Sequence, residues 1–387
     1  MKKMGTIGKK KILKKISLML GSALVLGTSG TALAVITGVC SNCHTMHNSQ
    51  DGSPMTLVTS TAQPMLVKGD CVGCHAQGGA TKIAVIGQIP QVSHTDGSGD
   101  LAGGNFAYIA GTKGTGASAA KGHNVIDLFG VNSDAALNLA PGIMGTHGGY
   151  VGDTILTCAG EGGCHGVRAS SAGKGLNSLK GSHHGNVDGK ITSPTTVATS
   201  YRFLNGVKGV ENAISKWQNI NATDHNEYFG STSPKKLGCS GQANASCHGA
   251  NGIMPPQNTI SEFCGTCHAN FHSLTSGSLG IQGIGATTSS PFLRHPTDVI
   301  IKNSGEYAAY TNYNVDAPVG RTVVPDAASG AVTPDTDVVT CMSCHKAHAT
   351  DYPDLLRWSY NQNAHSNAGN NSNDGCFICH TTKDDAS

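Results

Sequence analysis

Cysteine and histidine recur along this sequence in a fixed order. The 14 cysteines form seven successive pairs, and a histidine directly follows the second cysteine of every pair. Five pairs have the spacing Cys-x-x-Cys-His, which is the attachment signature of c-type haem. They are Cys40/Cys43/His44, Cys71/Cys74/His75, Cys264/Cys267/His268, Cys341/Cys344/His345 and Cys376/Cys379/His380. Two thioethers must reach one edge of the porphyrin while the adjacent imidazole turns under the iron, so the pattern predicts covalent haem at these places.

Two further pairs are stretched. Five residues separate Cys158 from Cys164-His165, and seven separate Cys239 from Cys247-His248. The intervening residues are small, so each loop could bulge out and still bring both sulfurs to one porphyrin edge. A disulfide in each pair is the alternative, since exported proteins permit it. Neither a disulfide, nor a tetrahedral zinc site, nor a thioredoxin-like redox pair needs the following histidine. We therefore predict about seven haems.

The other histidines are candidates for the second axial ligand of each iron. Imidazoles on both faces would leave no open coordination position, which suits electron transfer. His47 and His348 follow an attachment histidine by three residues, too close to reach the opposite face of the same haem, so each should bind a neighbouring haem. The predicted second ligands are His47, His94, His123, His184, His272, His295 and His348. The sequence leaves open whether His147, His183, His225 and His365 are ligands.

Composition predicts an unusual interior. Only 38% of residues are hydrophobic and 52 are glycine, whereas a typical soluble domain is about 45–50% apolar. Haem macrocycles could supply the missing apolar volume. The predicted fold is mostly irregular and loop-rich, with a few short helices, minimal strand and a chain of haems as its core; one helix is expected over residues 210–219.

The N-terminus reads as an export signal. Residues 1–34 combine a lysine-rich start, an apolar run over 16–26 and a cleavage tripeptide at 32–34, as a secretory signal peptide does. An uncleaved anchor is the alternative, but the run is too short to span a membrane comfortably. No later stretch is long and apolar, so no transmembrane segment is expected in the mature protein.

The mature chain divides by its haem motifs. Residues 35–150 carry two motifs, 151–258 carry the two stretched ones and 259–387 carry three. The signal holds seven of the 26 Lys and Arg and none of the 24 Asp and Glu, which leaves the mature part net negative. Such a chain has no electrostatic reason to bind nucleic acid.

Several segments together resemble the OmcS-type multihaem cytochromes of metal-reducing bacteria, which polymerise into extracellular filaments. The segments that carry the resemblance are Cys40-Ser-Asn-Cys-His-Thr-Met-His-Asn, Gly103-Gly-Asn-Phe-Ala-Tyr-Ile, Lys121-Gly-His-Asn-Val, Tyr201-Arg-Phe-Leu, Cys264-Gly-Thr-Cys-His-Ala-Asn-Phe-His, Leu293-Arg-His-Pro and Cys341-Met-Ser-Cys-His-Lys-Ala-His-Ala. The resemblance implies close haem pairs that continue across subunits. It also implies that His47 ligates the haem on Cys341/Cys344/His345 of the adjacent subunit. The two stretched sites depart from the family, whose member carries six haems.

Three functions follow in order of preference. The first is a polymeric, exported electron conduit at the cell surface or outside it, which takes electrons from other cytochromes and passes them to an external acceptor. The second is a soluble periplasmic electron carrier. The third is a nitrite- or sulfite-type multihaem reductase, which needs an iron with an open face and often a lysine in place of an attachment histidine; no Cys-x-x-Cys-Lys occurs in the sequence.

Overall fold

The computed structural model describes residues 39–54, 62, 66–84, 89–128, 156–160, 162–168, 175–179, 204–209, 219–232, 259–268, 271, 295–360 and 375–381. All of them belong to the unit Val35–Ser387. The predicted signal over 1–34 and nearly all of the helix predicted over 210–219 lie outside these residues. No helix in the described ranges is long and apolar enough to cross a membrane.

Four short α-helices occur in the described part of the chain, and three of them contain cysteines of an attachment motif. They are α1 (Cys71–His75), α2 (Ala107–Ala110), α3 (Ile260–Gly265) and α4 (Cys341–Cys344). Single 3-10 turns occupy Cys40–Asn42, Ala119–Lys121, Gly175–Ser178, Gly305–Tyr307, Pro353–Leu355 and Gly375–Ile378. The two terminal attachment motifs therefore begin in 3-10 turns. For the described residues this confirms the predicted loop-rich fold with few short helices.

Polar caps start two of the motif helices. Asp70 accepts a hydrogen bond from the backbone N–H of Cys71 at 2.8 Å, at the start of α1. Thr259 accepts one from the N–H of Glu262 at 3.0 Å, at the start of α3. Such side-chain oxygens satisfy amide groups that have no partner within a helix. The caps fix one end of each motif, so the following cysteines and histidine begin from a defined backbone.

The strands are two or three residues long. They are β1 (Ser49–Gln50), β2 (Ser53–Pro54), β3 (Thr157–Ala159), β4 (Gly163–His165), β5 (Val207–Lys208), β6 (Glu227–Phe229), β7 (Val299–Ile300), β8 (Gly320–Arg321) and β9 (Val338–Val339). β1 and β2 form an antiparallel hairpin, and β3 pairs with β4 in parallel. The remaining strands form a sheet in the order β5-β6-β8-β9-β7, in which only the β6–β8 pair is parallel.

Buried apolar side chains gather in three small clusters among the described residues. The first contains Ile301, Tyr310, Tyr313, Ala317, Val319, Val332 and Ile378; the second contains Val207, Tyr228, Ile260, Phe263 and Met342; the third contains Phe106, Ile109, Val125 and Ala349. Cysteines of the attachment motifs pack against all three. Each cluster therefore supports an attachment motif.

A buried ionic network joins β6, β8 and the segment before β9. Arg321 Nε donates to Glu227 Oε2 at 2.6 Å, and Arg321 Nη1 donates to Asp337 Oδ2 at 2.7 Å. Glu227 also accepts from His225 Nε2 at 3.1 Å and from the N–H of Ser329 at 2.7 Å. Burial alone would raise the pKa of Glu227, but these donors outweigh it and hold that pKa below its ordinary value.

We expect Glu227→Gln to lower the free energy of unfolding by about 3–5 kcal/mol, because breaking a buried ion pair leaves its partner charge under-compensated. Denaturant unfolding followed by circular dichroism measures this. Because the folded-state pKa of Glu227 is depressed, the stabilisation by its carboxylate is fully present above about pH 4.3, the ordinary glutamate pKa. It is lost as the pH falls through the lower folded-state pKa, so the difference between wild type and variant should narrow in acid.

Asp326→Asn is the matched control. Asp326 pairs with Lys208 at 2.8 Å, but its side chain is 92% exposed. Exposed pairs contribute only about 0–1 kcal/mol. Equal losses in the two variants would contradict a stabilising role for the buried network.

Candidate haem-binding sites

Six of the seven cysteine pairs lie within the described residues, and all their cysteines are free. The structure therefore contains no disulfide at Cys158/Cys164, the stretched pair that it describes. The second stretched site, Cys239/Cys247/His248, lies outside the described residues. So do the predicted ligands His184 and His272 and the open candidates His147, His183 and His365.

The backbone places the two cysteines of the stretched pair level with each other on adjacent strands. β3 and β4 pair in parallel with Thr157 opposite Gly163 and Ala159 opposite His165. This register puts Cys158 level with Cys164, and residues level on adjacent strands point to the same face of a sheet. Gly160 and Gly162 make the turn between the strands with positive φ angles of 85° and 73°. The register therefore brings the two ends of the stretched motif together.

Cys267, a predicted attachment cysteine, has a cation beside its sulfur. It follows α3, which ends at Gly265, and its Sγ accepts a hydrogen bond from Arg168 Nη2 at 3.5 Å. Thr266 Oγ1 lies 4.0 Å from the same sulfur. The guanidinium of Arg168 also stands over the Phe263 ring, 4.9 Å from its centre. The sulfur of this motif is therefore engaged by a cation that the spacing does not predict.

The contact has a simple physical reason. A guanidinium group has five N–H donors. A donor that has no oxygen acceptor can therefore donate to a nearby thiol sulfur, although sulfur is a weak acceptor. A thioether sulfur is a weak acceptor as well. Haem attachment at Cys267 is therefore compatible with the contact to Arg168, and the predicted thioether there stays a prediction.

Backbone carbonyls orient several attachment histidines. Nδ1 bonds to Leu66 O at 3.2 Å in His44, to Pro90 O at 2.9 Å in His75 and to Asp354 O at 2.7 Å in His345. A carbonyl only accepts, so Nδ1 carries the proton and Nε2 keeps its lone pair. That tautomer is the one in which imidazole binds a metal through Nε2.

Three pairs of histidine rings lie close together in the described part of the chain, and each pairs a predicted attachment histidine with a predicted second ligand. The ring centres are 6.1 Å apart for His268 and His123, 6.3 Å for His165 and His348, and 6.3 Å for His380 and His295. Metal–imidazole bonds of about 2.0–2.1 Å on both sides would put two trans ring centres about 6.3 Å apart. The residues present therefore fit an iron held between two imidazoles.

Burial favours the neutral form of three candidate ligands. It lowers the pKa of His75 and of His123, although a backbone carbonyl acts in the opposite direction on each. It lowers the pKa of His348 to about 3, with further contributions from His165 and His123. Neutral imidazole is the form that binds a metal, so these rings need no proton loss to do so.

The thiols of successive motifs are neighbours, and their proximity is visible in their pKa values. Burial and then Cys43 raise the pKa of Cys74 to about 11. Burial raises the pKa values of Cys344 and Cys379 to about 12; Cys376 and Cys341 add to the shift of Cys344, and Cys344 and Cys376 add to that of Cys379. The neighbouring pairs are Cys43/Cys74, Cys71/Cys158, Cys164/Cys267, Cys264/Cys341 and Cys344/Cys379. The six described motifs thus form one continuous row in sequence order.

Known proteins share this pattern. Residues 335–385 match the family model of the doubled CXXCH motif. The chain is also 26% identical to the C-type cytochrome OmcS of Geobacter sulfurreducens, over 89% of this chain and 85% of the relative. The chain is a multihaem c-type cytochrome similar to OmcS.

Two solved structures show a weaker likeness to this cytochrome. One is the outer membrane cytochrome S filament from Geobacter sulfurreducens, with 21% identity and a TM-score of 0.44 over 87% of this chain and 88% of that one. The other is a structure of the OmcS nanowires from the same bacterium, with 22% identity and a TM-score of 0.43 over 84% of each chain. Scores of this size establish no shared fold, so the relation rests on the sequence alignment.

Residues 345–348 of the cytochrome contribute to three candidate haem sites. His345 is an attachment histidine, Ala347 O accepts from His123 Nδ1 at 2.7 Å, and His348 lies opposite His165. Phe106 stacks on the His348 ring at 4.8 Å. A Cβ on Gly103 would stand 2.8 Å from Nδ1 of His348, so only glycine lets the chain approach this ring.

His345 and His47 differ from the opposed pairs. His345 is exposed. His47 is also exposed and has a positive φ of 54° at the start of the β1–β2 hairpin. The family resemblance implies that His47 ligates the haem on Cys341/Cys344/His345 of the adjacent subunit, and this remains a prediction.

Two other candidate ligands are engaged elsewhere. Both nitrogens of His225 already have protein partners, Asn221 O at 3.1 Å and Glu227 Oε1 at 3.1 Å. His94 Nδ1 accepts from the N–H of Asp96 at 3.2 Å, and its enclosed Nε2 is 4.0 Å from Asp100 Oδ1. No described histidine contacts the His94 ring, so its predicted role as a ligand stays a prediction.

Sequence reasoning missed a carboxylate in this cytochrome. Glu306 Oε2 lies 3.1 Å from Nδ1 of His380, where three other attachment histidines meet a backbone carbonyl. Glu306 is 70 residues away in sequence from the motif's first cysteine, Cys376. Nothing in its local sequence marks it as a neighbour of that motif.

Proposed function

We propose that the chain conducts electrons along a row of haems and that copies of it join into a homopolymer outside the cell. The observation that carries the proposal is the row of neighbouring thiols, combined with imidazoles opposed at 6.1–6.3 Å. The haems would supply one-electron oxidation and reduction of iron. The protein's contribution would be to hold successive attachment points near one another, in the order of the sequence.

The ligand sets favour transfer over catalysis on a substrate. The proposed iron pairs are His268 with His123, His165 with His348, and His380 with His295. Two imidazoles fill both axial positions, so a small anion has no place to bind at these irons. We therefore rank a reductase below an electron-transfer protein.

The proposed polymer contact joins His47 of one subunit to the site of His345 in the next. Nδ1 of His345 donates to Asp354 O, which leaves Nε2 for iron. Around His47 the surface is apolar: Met46 is 71% exposed, Val39 67% and Leu66 49%. Grouped exposed apolar side chains are typical of surfaces that meet another protein. OmcS, the relative aligned over most of this chain, is described as forming filaments and nanowires.

We place the working protein outside the cytoplasm, at the cell surface or beyond it. The support is the signal-like sequence over 1–34 and the chemistry of c-type haem. Electron donors would be other cytochromes, because bis-histidine irons exchange single electrons with similar centres. The second stretched motif, Cys239/Cys247/His248, would bring the haem count to seven.

Cryo-electron microscopy of protein purified from its export pathway tests the proposal, after intact mass has given the number of haems. Ordered filaments with continuous haem density across subunits would support it. Dispersed monomers that carry every haem would replace it with a soluble carrier. A high-spin iron that binds nitrite or sulfite would favour a reductase.

The stretched site has its own test. We expect the double variant Cys158→Ser, Cys164→Ser to lose one haem from its intact mass, because no thioether would remain at that site. A variant with an unchanged haem count would contradict attachment there. The corresponding variant of Cys239 and Cys247 reports on the second stretched site by the same measurement.

A further inference from the structure

The attachment histidine nearest the C-terminus has a charged neighbour. Oε2 of Glu306 lies 3.1 Å from Nδ1 of His380, and the two side chains are 24% and 22% exposed. The two atoms are at ion-pair distance without full hydrogen-bond alignment. His44, His75 and His345 instead meet neutral carbonyl oxygens at the same ring position.

The chain holds Glu306 in place from both sides. Thr381, directly after His380, donates to Glu306 O through its backbone N–H at 2.7 Å and through its hydroxyl at 2.7 Å. Tyr307 packs edge-on against the His380 ring, with centres 5.0 Å apart. Burial and then a hydrogen bond with Glu306 raise the pKa of Tyr307 to about 12. These contacts pin the carboxylate beside the imidazole.

A carboxylate and a carbonyl have different effects on a ligating imidazole. A negative acceptor draws the Nδ1 proton more strongly, which increases electron density at Nε2 and makes the ring a stronger donor. A stronger donor stabilises ferric iron relative to ferrous iron. We propose that Glu306 is a positioning residue that lowers the reduction potential of the site at Cys376/Cys379/His380 below that of the carbonyl-oriented sites. This inference rests on the proposed function.

The location of the site gives the effect a role. Cys379 neighbours Cys344, and this contact is the last in the row of described motifs. The site that is hardest to reduce would therefore stand at one end of the subunit's row. An electron that passes along the row would meet an uphill step at that end.

Glu306→Gln in the full-length haem-loaded protein tests the inference, because glutamine keeps the size and an oxygen acceptor but removes the charge. Intact mass first confirms the haem count, and a spectroelectrochemical titration then follows reduction. We expect one component to become easier to reduce by about tenfold in its equilibrium constant, which is about 59 mV for one electron. The moving component should be the one that His295→Met also moves, since His295 lies opposite His380.

Two further variants test whether the shift in potential comes from the carboxylate of Glu306. Asp326→Asn removes an equal charge at a side chain that is 92% exposed, and it should move no component comparably. Tyr307→Phe removes the hydroxyl that holds the carboxylate, and it should give a smaller shift in the same direction. An unmoved component in a fully loaded Glu306→Gln protein, or an equal shift of all components, would overturn the inference alone. Wild-type protein without haem at Cys376/Cys379 would overturn the proposed function of that site.

Discussion

Replacing His47 with alanine should abolish polymer formation and leave the number of haems per chain unchanged. The thioethers that hold haem at Cys341/Cys344 are in the same subunit, so attachment does not need His47. The second imidazole of that iron would come from the adjacent subunit, so the contact between copies does need it. Negative-stain microscopy with intact mass measures both. The monomers should show one high-spin iron per chain in their ferric electron paramagnetic resonance spectrum.

Ser53→Ala is a control on the same hairpin, since Ser53 is exposed and has no part in ligation. It should polymerise like wild type. Filaments that persist in His47→Ala would refute the intersubunit role. A haem missing from the variant's mass would refute it too, because His47 would then serve a site within its own chain.

Replacing His348 with alanine should convert one iron from low spin to high spin without lowering the haem mass. His348 lies opposite His165 at 6.3 Å and stacks on Phe106, so its loss empties an axial position and opens a cavity within the buried structure. Filling of that cavity by added imidazole should restore the low-spin spectrum. We also expect a loss of stability, smaller than the about 3–5 kcal/mol of a fully buried aromatic ring cut to alanine, because His348 is half-buried.

The same measurement on His94→Ala examines a ligand predicted from sequence alone. If His94 binds an iron, its loss also creates a high-spin centre; if its present contacts with Asp96 and Asp100 are its role, the spectrum stays low-spin.

An unchanged low-spin spectrum in His348→Ala would exclude His348 as a ligand.

Part of this architecture follows from local sequence. Low apolar content and abundant glycine predicted a loop-rich chain, and the described residues have that character. The cysteine spacing marks attachment points, because haem attachment is a local requirement of a few adjacent residues. Residues such as Asp70 and Thr259, which start the motif helices, follow the usual capping preferences.

The partners across each iron could not be predicted by such reasoning. His165 and His348 are far apart in sequence, and only the folded chain brings their rings together. His225 illustrates the difficulty, because histidine composition alone cannot show that Glu227 and Asn221 take both its nitrogens.

The sequence likewise does not predict which residues lie beside the attachment motifs, because these residues are distant in sequence and only the folded chain brings them together. Arg168 reaches the sulfur of Cys267 across 99 residues of chain, and the motif spacing gives no sign of that cation. Glu306 reaches His380 in the same way, and no spacing rule predicts such a neighbour.

The shared segment over 345–348 has a consequence for how the protein matures. Synthesis proceeds from the N-terminus, so motifs such as Cys158/Cys164 can receive haem before this segment exists. The irons at these motifs would have one protein ligand until the C-terminal segment is synthesised and supplies the second. The second bond would close a long loop of chain; a disulfide that closes a comparable loop stabilises the folded state by about 4–5 kcal/mol. Each haem would then act as a cross-link between early and late segments. A chain truncated before residue 341 would carry haem but could not lock its middle section.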